Sequence, residues 1–368
     1  MSSNLRAKKA LANRRQGIRA IAEAAHVSVS TVSRVINGKI VNSEMAIRVW
    51  GSIQRLGYVP NRQARSLVSG RSNIFGVLIS EITNPFFPEI VRAFEGAASR
   101  FGYEIMVCST NYNQKDMKSS VERLLQYHVD GVAVMTFGID AQSLEMLSSR
   151  SVPTVFVDAS PVKNNQSSLP IDYATGISEA VQHLTSLGHR KIAFISGDPK
   201  LKSAQAKLVA FRDAVAQLGL SLPDKYIVAG NHKLEQGTAA AQILLQLKDR
   251  PTAIMCSNDL TAIGALHALV SARIQVPQEM SLIGFDDIQF SEYLIPPLTT
   301  IRMSCNEIAT AAARALSQMI ADEPRQEIVP ITTNLVIRGS TGVPFAAPND
   351  LKWNMKAPRA LRSRSLRP

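Results

Sequence analysis

Between Ser28 and Asn37 the chain sets the donors Ser30, Thr31, Ser33 and Arg34 among apolar residues at Val32, Val35 and Ile36. On a helix this spacing turns the apolar residues to one side and the donors to the other. Hydroxyls at an exposed helix start suit phosphate oxygens, and an arginine fork matches the O6 and N7 edge of guanine. The chemistry is that of nucleic-acid contact. The competing reading is a three-helix bundle for protein contacts, disfavoured by so short and donor-rich a face. A second set of polar residues closes successive apolar runs: Asn84-Pro85-Phe86-Phe87 after IFGVLIS, Asp158 in TVFVDAS, Asn258 and Asp259 in AIMCSND, and Asp286 and Asp287 in SLIGFDD. Polar groups converging beyond strand ends suit a hydroxyl-rich ligand, and Phe86 or Phe87 offers a ring face for stacking. Asp and Asn at strand ends also cap the following helix, the role expected of Asp259 and Asp287.

The elements that must position the first set are short helices. Ile18, Ile21, Ala22 and Ala25 line one face, His26 and Val27 break the pattern, and Ser28 offers an N-cap to a second helix over Val29 to Asn37. Asn37-Gly38 closes it, since both residues tolerate the left-handed conformation. A third helix begins at Ser43 and Glu44, with a buried stripe expected at Ile47, Trp50, Ile53 and Leu56. Two helices joined by a tight turn and backed by a third form a helix-turn-helix, whose second helix enters the major groove.

Charge agrees with this placement. The net charge of 368 residues is +12, but residues 1–72 alone carry +11 and residues 346–368 carry +5, leaving a mildly acidic body. A basic head points to a polyanion partner, because Lys and Arg release counterions condensed on phosphate backbones. No apolar run approaches the roughly 20 residues of a membrane-spanning helix. The first 20 residues hold Arg6, Lys8, Lys9, Arg14, Arg15 and Arg19 without an apolar stretch, so a cytoplasmic protein with no membrane partner is expected. Cys108, Cys256 and Cys305 are few, odd in number and far apart, and are read as free thiols.

From Asn73 onward, the runs IFGVLIS, YEIMVCST, GVAVMTF, TVFVDAS, KIAFISG, AIMCSND and SLIGFDD alternate with amphipathic stretches such as Pro88 to Phe101 and Thr175 to Leu187. Strand runs without strict alternation, separated by helices, imply parallel sheets covered on both faces. Seven runs suggest two sheets.

The stretches VSVSTVSRVINGK and LGYVPNRQARSLVSGRSNIFGVL resemble the lactose-repressor (LacI/GalR) family of regulators, and the resemblance runs from about Gly17 to about Gly342. It implies a transcriptional repressor that binds a palindromic operator as a homodimer and answers to a small sugar or sugar-derived effector, an acid or a phosphate included. The implied fold is α/β: a basic extension (1–16), a three-helix helix-turn-helix domain (17–60), a hinge helix and linker (61–72), a periplasmic-binding-protein-like core (73–345) and a basic tail (346–368). Within the core, one Rossmann-like subdomain would hold 73–160 and 298–328, the other 161–297 and 329–345. Crossings between them are expected near Asp158 to Asp172, Pro296 to Thr299 and Glu327 to Ile331.

Carried over residue by residue, the family places base-reading side chains at Val29, Ser30 and Arg34, and backbone contacts at Thr31, Ser33 and Asn37. Asn61 to Ser69 resembles the hinge helix, with Asn61, Ala64, Arg65 and a minor-groove wedge at Leu67. Nine residues cannot hold a helix alone, so DNA and a partner hinge must complete it. The family's effector positions match Asp158, Asn258 and Asp286, with Ser203 and Lys207 in SAQAKLVAF. An arginine is usual where Lys207 stands, four residues before the aromatic Phe211. Lysine lacks the planar fork, so the ligand is expected to differ from a plain sugar. His232 either takes the place of a stacking aromatic or is a surface histidine. The dimer surface implied by the family includes the helices Pro88 to Arg100 and Gln114 to Tyr127.

Two rivals share the core fold. An exported sugar-binding protein would lack the basic helix-turn-helix. An enzyme would need a site, and the sequence holds no P-loop, no G-x-S-x-G elbow, no G-x-G-x-x-G and no His or Cys cluster with metal spacing. No cofactor, metal or catalytic residue is expected.

Overall fold

The computed structural model describes residues 17–36, 41–58, 70–136, 139–158, 165–324 and 329–344. The chain divides into two compact units between Ser72 and Asn73. In the first unit α1 (residues 17–25), α2 (Val29–Ile36) and α3 (Ser43–Arg55) close over Ile21, Ala22, Ala25, Val32, Val35, Val49 and Ile53. The turn between α1 and α2 is tight because His26 takes a positive φ of 52° and the Val27 N–H returns to the Ala22 carbonyl at 2.9 Å. Ser28 caps α2, its Oγ accepting the Thr31 N–H at 3.1 Å. Asn42, rather than Ser43, caps α3 by accepting from the Glu44 N–H at 2.9 Å.

The buried stripe of α3 differs from expectation. Val49, Ser52 and Ile53 face inward, while Ile47 is 71% exposed and Trp50 and Leu56 are about half exposed. Small residues make the contact here. Ala46 and Val49 allow close approach to α1 and α2, and Ser52 satisfies its buried hydroxyl on the Arg48 carbonyl at 2.8 Å.

The second unit has two lobes. The first lobe comprises β1 (Ile74–Ile79), α4 (Phe86–Arg100), β2 (Glu104–Ser109), α5 (Gln114–Gln126), β3 (Gly131–Met135), α6 (Ala141–Ser149), β4 (Thr154–Val157) and β5 (Gln166–Leu169). Its strands form a parallel sheet in the order β2-β1-β3-β4-β5. After β6 (Ile171–Asp172) come α7 (Tyr173–Ser186), β7 (Ile192–Ile195), α8 (Lys202–Gln217), β8 (Ile227–Val228), α9 (Leu234–Leu245), β9 (Ala253–Cys256), α10 (Asp259–Ser271), β10 (Ser281–Asp286) and β11 (Thr299–Arg302). Helix α11 (Cys305–Ala321) returns to the first lobe and packs on α4, β3 and β4. The short β12 (Ile331–Thr332) pairs with β6, and β13 (Asn334–Val336) runs antiparallel to β11. The second sheet reads β13-β11-β10-β9-β7-β8.

Apart from that antiparallel edge, each sheet repeats the order 2-1-3-4-5, so each has a switch point where adjacent strands lead their connections to opposite faces. The first falls between β1 and β3, the second between β7 and β9. A ligand crevice belongs beyond the carboxyl ends of these strands.

Two lobe boundaries move relative to the sequence reading. Residues 166–169 belong to the first lobe, because β5 ladders onto β4 from Thr154↔Gln166 to Val157↔Leu169. Residues 299–302 belong to the second, because β11 ladders onto β10 from Ile283↔Thr299 to Asp286↔Arg302. The first crossing is therefore at Pro170 and the second at Met303 to Ser304. Thr299, expected in a crossing, and its neighbour Thr300 are both fully buried. Partners satisfy them: the Thr299 N–H donates to Ser340 Oγ at 2.8 Å and Thr300 Oγ1 to Asp259 Oδ1 at 2.5 Å.

Candidate DNA-reading face and ligand cleft

In the first unit, burial of Val32 and Val35 fixes which side of α2 faces outward. Val29 is 46% exposed, Ser30 and Arg34 are exposed, and Thr31 and Ser33 are half-buried at the flanks. Ser28 Oγ lies 2.7 Å from Ser30 Oγ and 2.8 Å from Thr31 Oγ1, which gathers three hydroxyls at the start of the helix. The face thus offers phosphate-binding hydroxyls at its start and a guanidinium one turn later. Asn37, Asn61, Ala64, Arg65 and Leu67, with the extension 1–16 and the tail 346–368, lie outside the described residues.

In the second unit the acids at the ends of β4 and β10 converge on Lys207 of α8. Its Nζ donates to the Ser257 carbonyl at 2.9 Å and lies 3.7 Å from the ring centre of Phe285 and 5.2 Å from that of Tyr173. Lys207 is 3% exposed. Burial pulls its pKa down, and the charges of Asp286, Asp158 and Asp259 oppose that pull. Burial pushes Asp286 well up, opposed by Lys207, and pushes Asp158 up, opposed by the Tyr173 hydroxyl, which donates to Asp158 Oδ2 at 2.7 Å. Desolvation and the adjacent Asp158 raise the Tyr173 phenol. Asp158 and Asp286 take positive φ values of 59° and 113°, conformations that cost an L-residue about 1–3 kcal/mol. Each of the two acid-bearing strands thus ends on a positive-φ residue.

The remaining expected ligand residues divide. Ser203, one turn before Lys207 on α8, is buried with it. Asn258 caps α10 through Oδ1, which accepts the Thr261 N–H at 2.9 Å, and its amide donates to the His232 carbonyl at 3.0 Å. The capping role expected of Asp259 therefore falls to Asn258. Asp259 instead ties three segments together, accepting from the Ile288 N–H at 2.9 Å, Ser291 Oγ at 2.7 Å and Thr300 Oγ1 at 2.5 Å. Asp287 pairs with Arg302 and Arg338, each at 2.6 Å. His232 is not a surface residue. It is 6% exposed, burial and the Lys207 charge lower its pKa to about 3, and its ring packs so closely on Gly197 that a Cβ there would lie 2.0 Å from Nε2. Phe86 and Phe87 meet edge-on at 5.5 Å inside the apolar core, and neither offers an open face.

Sequence reading missed Tyr173, Phe285 and the Ser257 carbonyl. Tyr173 opens a helix directly after a crossing, a position that announces closeness to the cleft only once the crossing at Pro170 is located. Among the described residues no group of three or more His, Cys, Asp or Glu side chains could hold a metal ion. Further out, a cavity of about 350 Å³ opens between the lobes. Its walls include Thr110, Tyr112 and Thr136 beyond β2 and β3, and Lys200, Asn231 and Lys233 beyond β7 and β8.

A three-helix DNA-reading unit joined to a two-lobed body with a polar cleft between parallel sheets defines a ligand-responsive transcriptional regulator. Residues 17–61 match bacterial regulatory proteins of the lacI family, and residues 181–341 match a periplasmic binding protein-like domain. The ribose operon repressor of Escherichia coli (strain K12) is 34% identical over 323 residues, spanning 87% of this chain and 98% of that protein. Catabolite control protein A of Priestia megaterium is 33% identical over 324 residues, with 87% and 98% covered. The crystal structure of the lac repressor dimer bound to operator and the anti-inducer ONPF superposes with a TM-score of 0.77 at 26% identity, covering 88% of this chain and 98% of that one. The chain belongs to the lacI family of bacterial regulatory proteins.

Proposed function

We propose that this repressor holds a palindromic operator as a homodimer and that a small sugar or sugar derivative bound between the lobes changes its grip. The observation that carries the first part is α2, where exposed Val29, Ser30 and Arg34 stand opposite buried Val32 and Val35 on a unit of charge +11. Arg34 reads guanine; Thr31 and Ser33 hold phosphates. The described lac repressor complex, a dimer on its operator, supports the same arrangement. Two-fold symmetry in the protein then requires two half-sites in the DNA. Phe101, Val107 and Tyr127, all exposed beside the edge strand β2, supply apolar surface for the dimer next to α4 and α5.

Ligand control follows from the cleft. A ligand shifts the open and closed populations only by its differential affinity for them. The chain acts in the cytoplasm and is not an enzyme; among the described residues no helix is long and apolar enough to cross a membrane. The regulator reading also displaces the exported binding protein, since the head supplies what an exported protein would not need.

Selection of bound sequences from a random duplex pool with the full chain should return a palindrome. Titration of sugars against the selected duplex should then change affinity without consuming the sugar. Recovery of no palindrome would overturn operator reading, and turnover of the ligand would overturn the regulator-only reading.

A further inference from the structure

The outer face of α3 carries an apolar patch that no described residue of the first unit covers. Ile47 is 71% exposed and Trp50 48%. Trp50 and Gly51 follow Ile47 at i+3 and i+4, so the three share one patch. A Cβ added at Gly51 would meet nothing within 4 Å, which leaves an open notch beside the isoleucine and the indole. A lone exposed apolar side chain is ordinary on a protein surface, but here two large ones flank a gap on consecutive turns. Glycine inside a helix weakens it relative to alanine and suits a point where another chain approaches closely. Around the patch, Glu44, Arg48 and Gln54 are exposed and polar.

The patch is too small to join separate proteins. A stable interface buries about 800 Å² per partner, and two side chains beside a notch supply a small fraction of that. A segment of the same chain needs far less, because a short tether holds it at an effective concentration of about millimolar. Residues 1–16, which lie outside the described residues, are within reach. Helix α1 starts at Gly17, where an added Cβ would lie 2.7 Å from Cε2 of Tyr58, just after α3. The segment therefore joins the unit at the C-terminal end of α3. Trp50 and Ile47 lie about 12 and 16 Å back along that helix, at about 1.5 Å per residue. Leu11 and Leu5 precede Gly17 by about 9 and 18 Å at the same rise, and by more if the chain is extended. Apart from Met1 they are the only large apolar side chains of the segment. Contact with a polyanion uses its basic residues and has no need of the leucines.

We propose that the outer face of α3 is the docking surface for residues 1–16 of the same chain, with Leu11 against Trp50 and Leu5 reaching Ile47 across the notch at Gly51. The attachment is apolar. The segment holds five basic and no acidic residues, and residues 17–72 hold eight basic against two acidic. Like charges oppose the docking and salt screens them, so the contact tightens as ionic strength rises. Docking fixes the five cations of the segment on the head.

Trp50 reports on its own cover. Trp353→Phe leaves it the one indole of the full chain, and acrylamide, a neutral quencher, reads its exposure. Removing residues 2–12 should raise the quenching constant about twofold, as expected when a contact at least half occupied is lost. Leu5→Asp/Leu11→Asp should do the same, with circular dichroism unchanged. Gly51→Lys, which enters open space, should open Trp50 to the quencher in the intact chain and change nothing in the truncated one. Arg6→Gln/Lys8→Gln/Lys9→Gln should keep the indole covered, and added salt should lower the quenching of the intact chain alone. Equal quenching of the intact and truncated chains overturns the proposal. So does cover that persists after truncation and grows with protein concentration, which assigns the face to a second copy, and so does cover that salt removes or that appears only with operator duplex.

Discussion

Asp259 is fully buried, and desolvation raises its pKa from the ordinary 3.8 to about 7 against the pull of its three donors, Thr300, Ser291 and the Ile288 N–H. The folded protein therefore holds a proton that the unfolded chain gives up near pH 4. Stability from this group is fully present below pH 4 and is lost as pH rises through 7. At about 1.36 kcal/mol per pH unit, the interval from pH 5 to the folded pKa removes close to 3 kcal/mol. Asp259→Asn has no such proton. The amide keeps one accepting oxygen but turns an NH₂ toward a donor, which costs about 1–3 kcal/mol at any pH. The variant should be the less stable protein at pH 5, and the gap should close or reverse by pH 8. Urea unfolding followed by circular dichroism for both proteins at pH 5 and pH 8 gives the difference of differences, in which all other titrating groups cancel. A gap that stays constant across that range would mean that Asp259 is ionised throughout, and the desolvation argument would fail.

Arg34→Ala should weaken operator binding by about 1–3 kcal/mol and relax preference at one base pair of each half-site, as read by repeating the sequence selection; an unchanged preference removes Arg34 from base reading. Gly264→Ala should destabilise the second unit by about 3 kcal/mol in urea, because α9 and α10 touch backbone to backbone there and an added Cβ would lie 2.0 Å from the Leu234 carbonyl oxygen. In the head, Val49→Ala should cost about 2 kcal/mol while Ile47→Gln stays within about 0.5 kcal/mol. Equal costs measured by thermal unfolding would restore the stripe first expected at Ile47 and Trp50.

The parts of the fold that the sequence makes legible are those in which one residue type dominates a period. Apolar runs such as IFGVLI and GVAVM announce buried parallel strands, and Ile21, Ala22 and Ala25 announce the inner face of α1. Legibility fails where size rather than polarity decides. On α3 the large side chains Ile47 and Trp50 stay outside while Val49, Ser52 and Ile53 go in. It fails again where polar residues are buried in pairs. Thr299 reads as part of a crossing, yet its N–H donates to Ser340 and its neighbour Thr300 donates to Asp259, both buried against the second sheet. Two-residue strands such as β6 and β12 carry no periodicity at all, and they mark two of the three crossings. The cleft was legible as a set of strand-end acids. What Lys207 does among them was not, because residue type and spacing cannot show that its ammonium lies on the Ser257 carbonyl and the Phe285 ring.

Those same acids bear on how the cleft transmits a signal. Two described hydrogen bonds join the lobes directly: Tyr173 of α7 donates to Asp158 at the end of β4, and the Gln289 N–H beyond β10 donates to Glu89 of α4 at 2.9 Å. Burial raises the pKa of both carboxylates, so each is partly stripped of water for the sake of a single neutral donor. A hydrogen bond to a charged group contributes about 1.5–3 kcal/mol net, and desolvation takes part of that back. The two bonds therefore contribute a few kcal/mol to the contact between the lobes, beside apolar residues of both lobes, Phe87 and Phe285 among them, that share one core. A ligand shifts the two lobes only by its differential affinity for their arrangements. Moving such an equilibrium from one side to the other takes about 5.5 kcal/mol of differential affinity, within reach of a small ligand with one ionic and several hydroxyl contacts. The two inter-lobe hydrogen bonds are thus of a size that the differential affinity of a small ligand can offset.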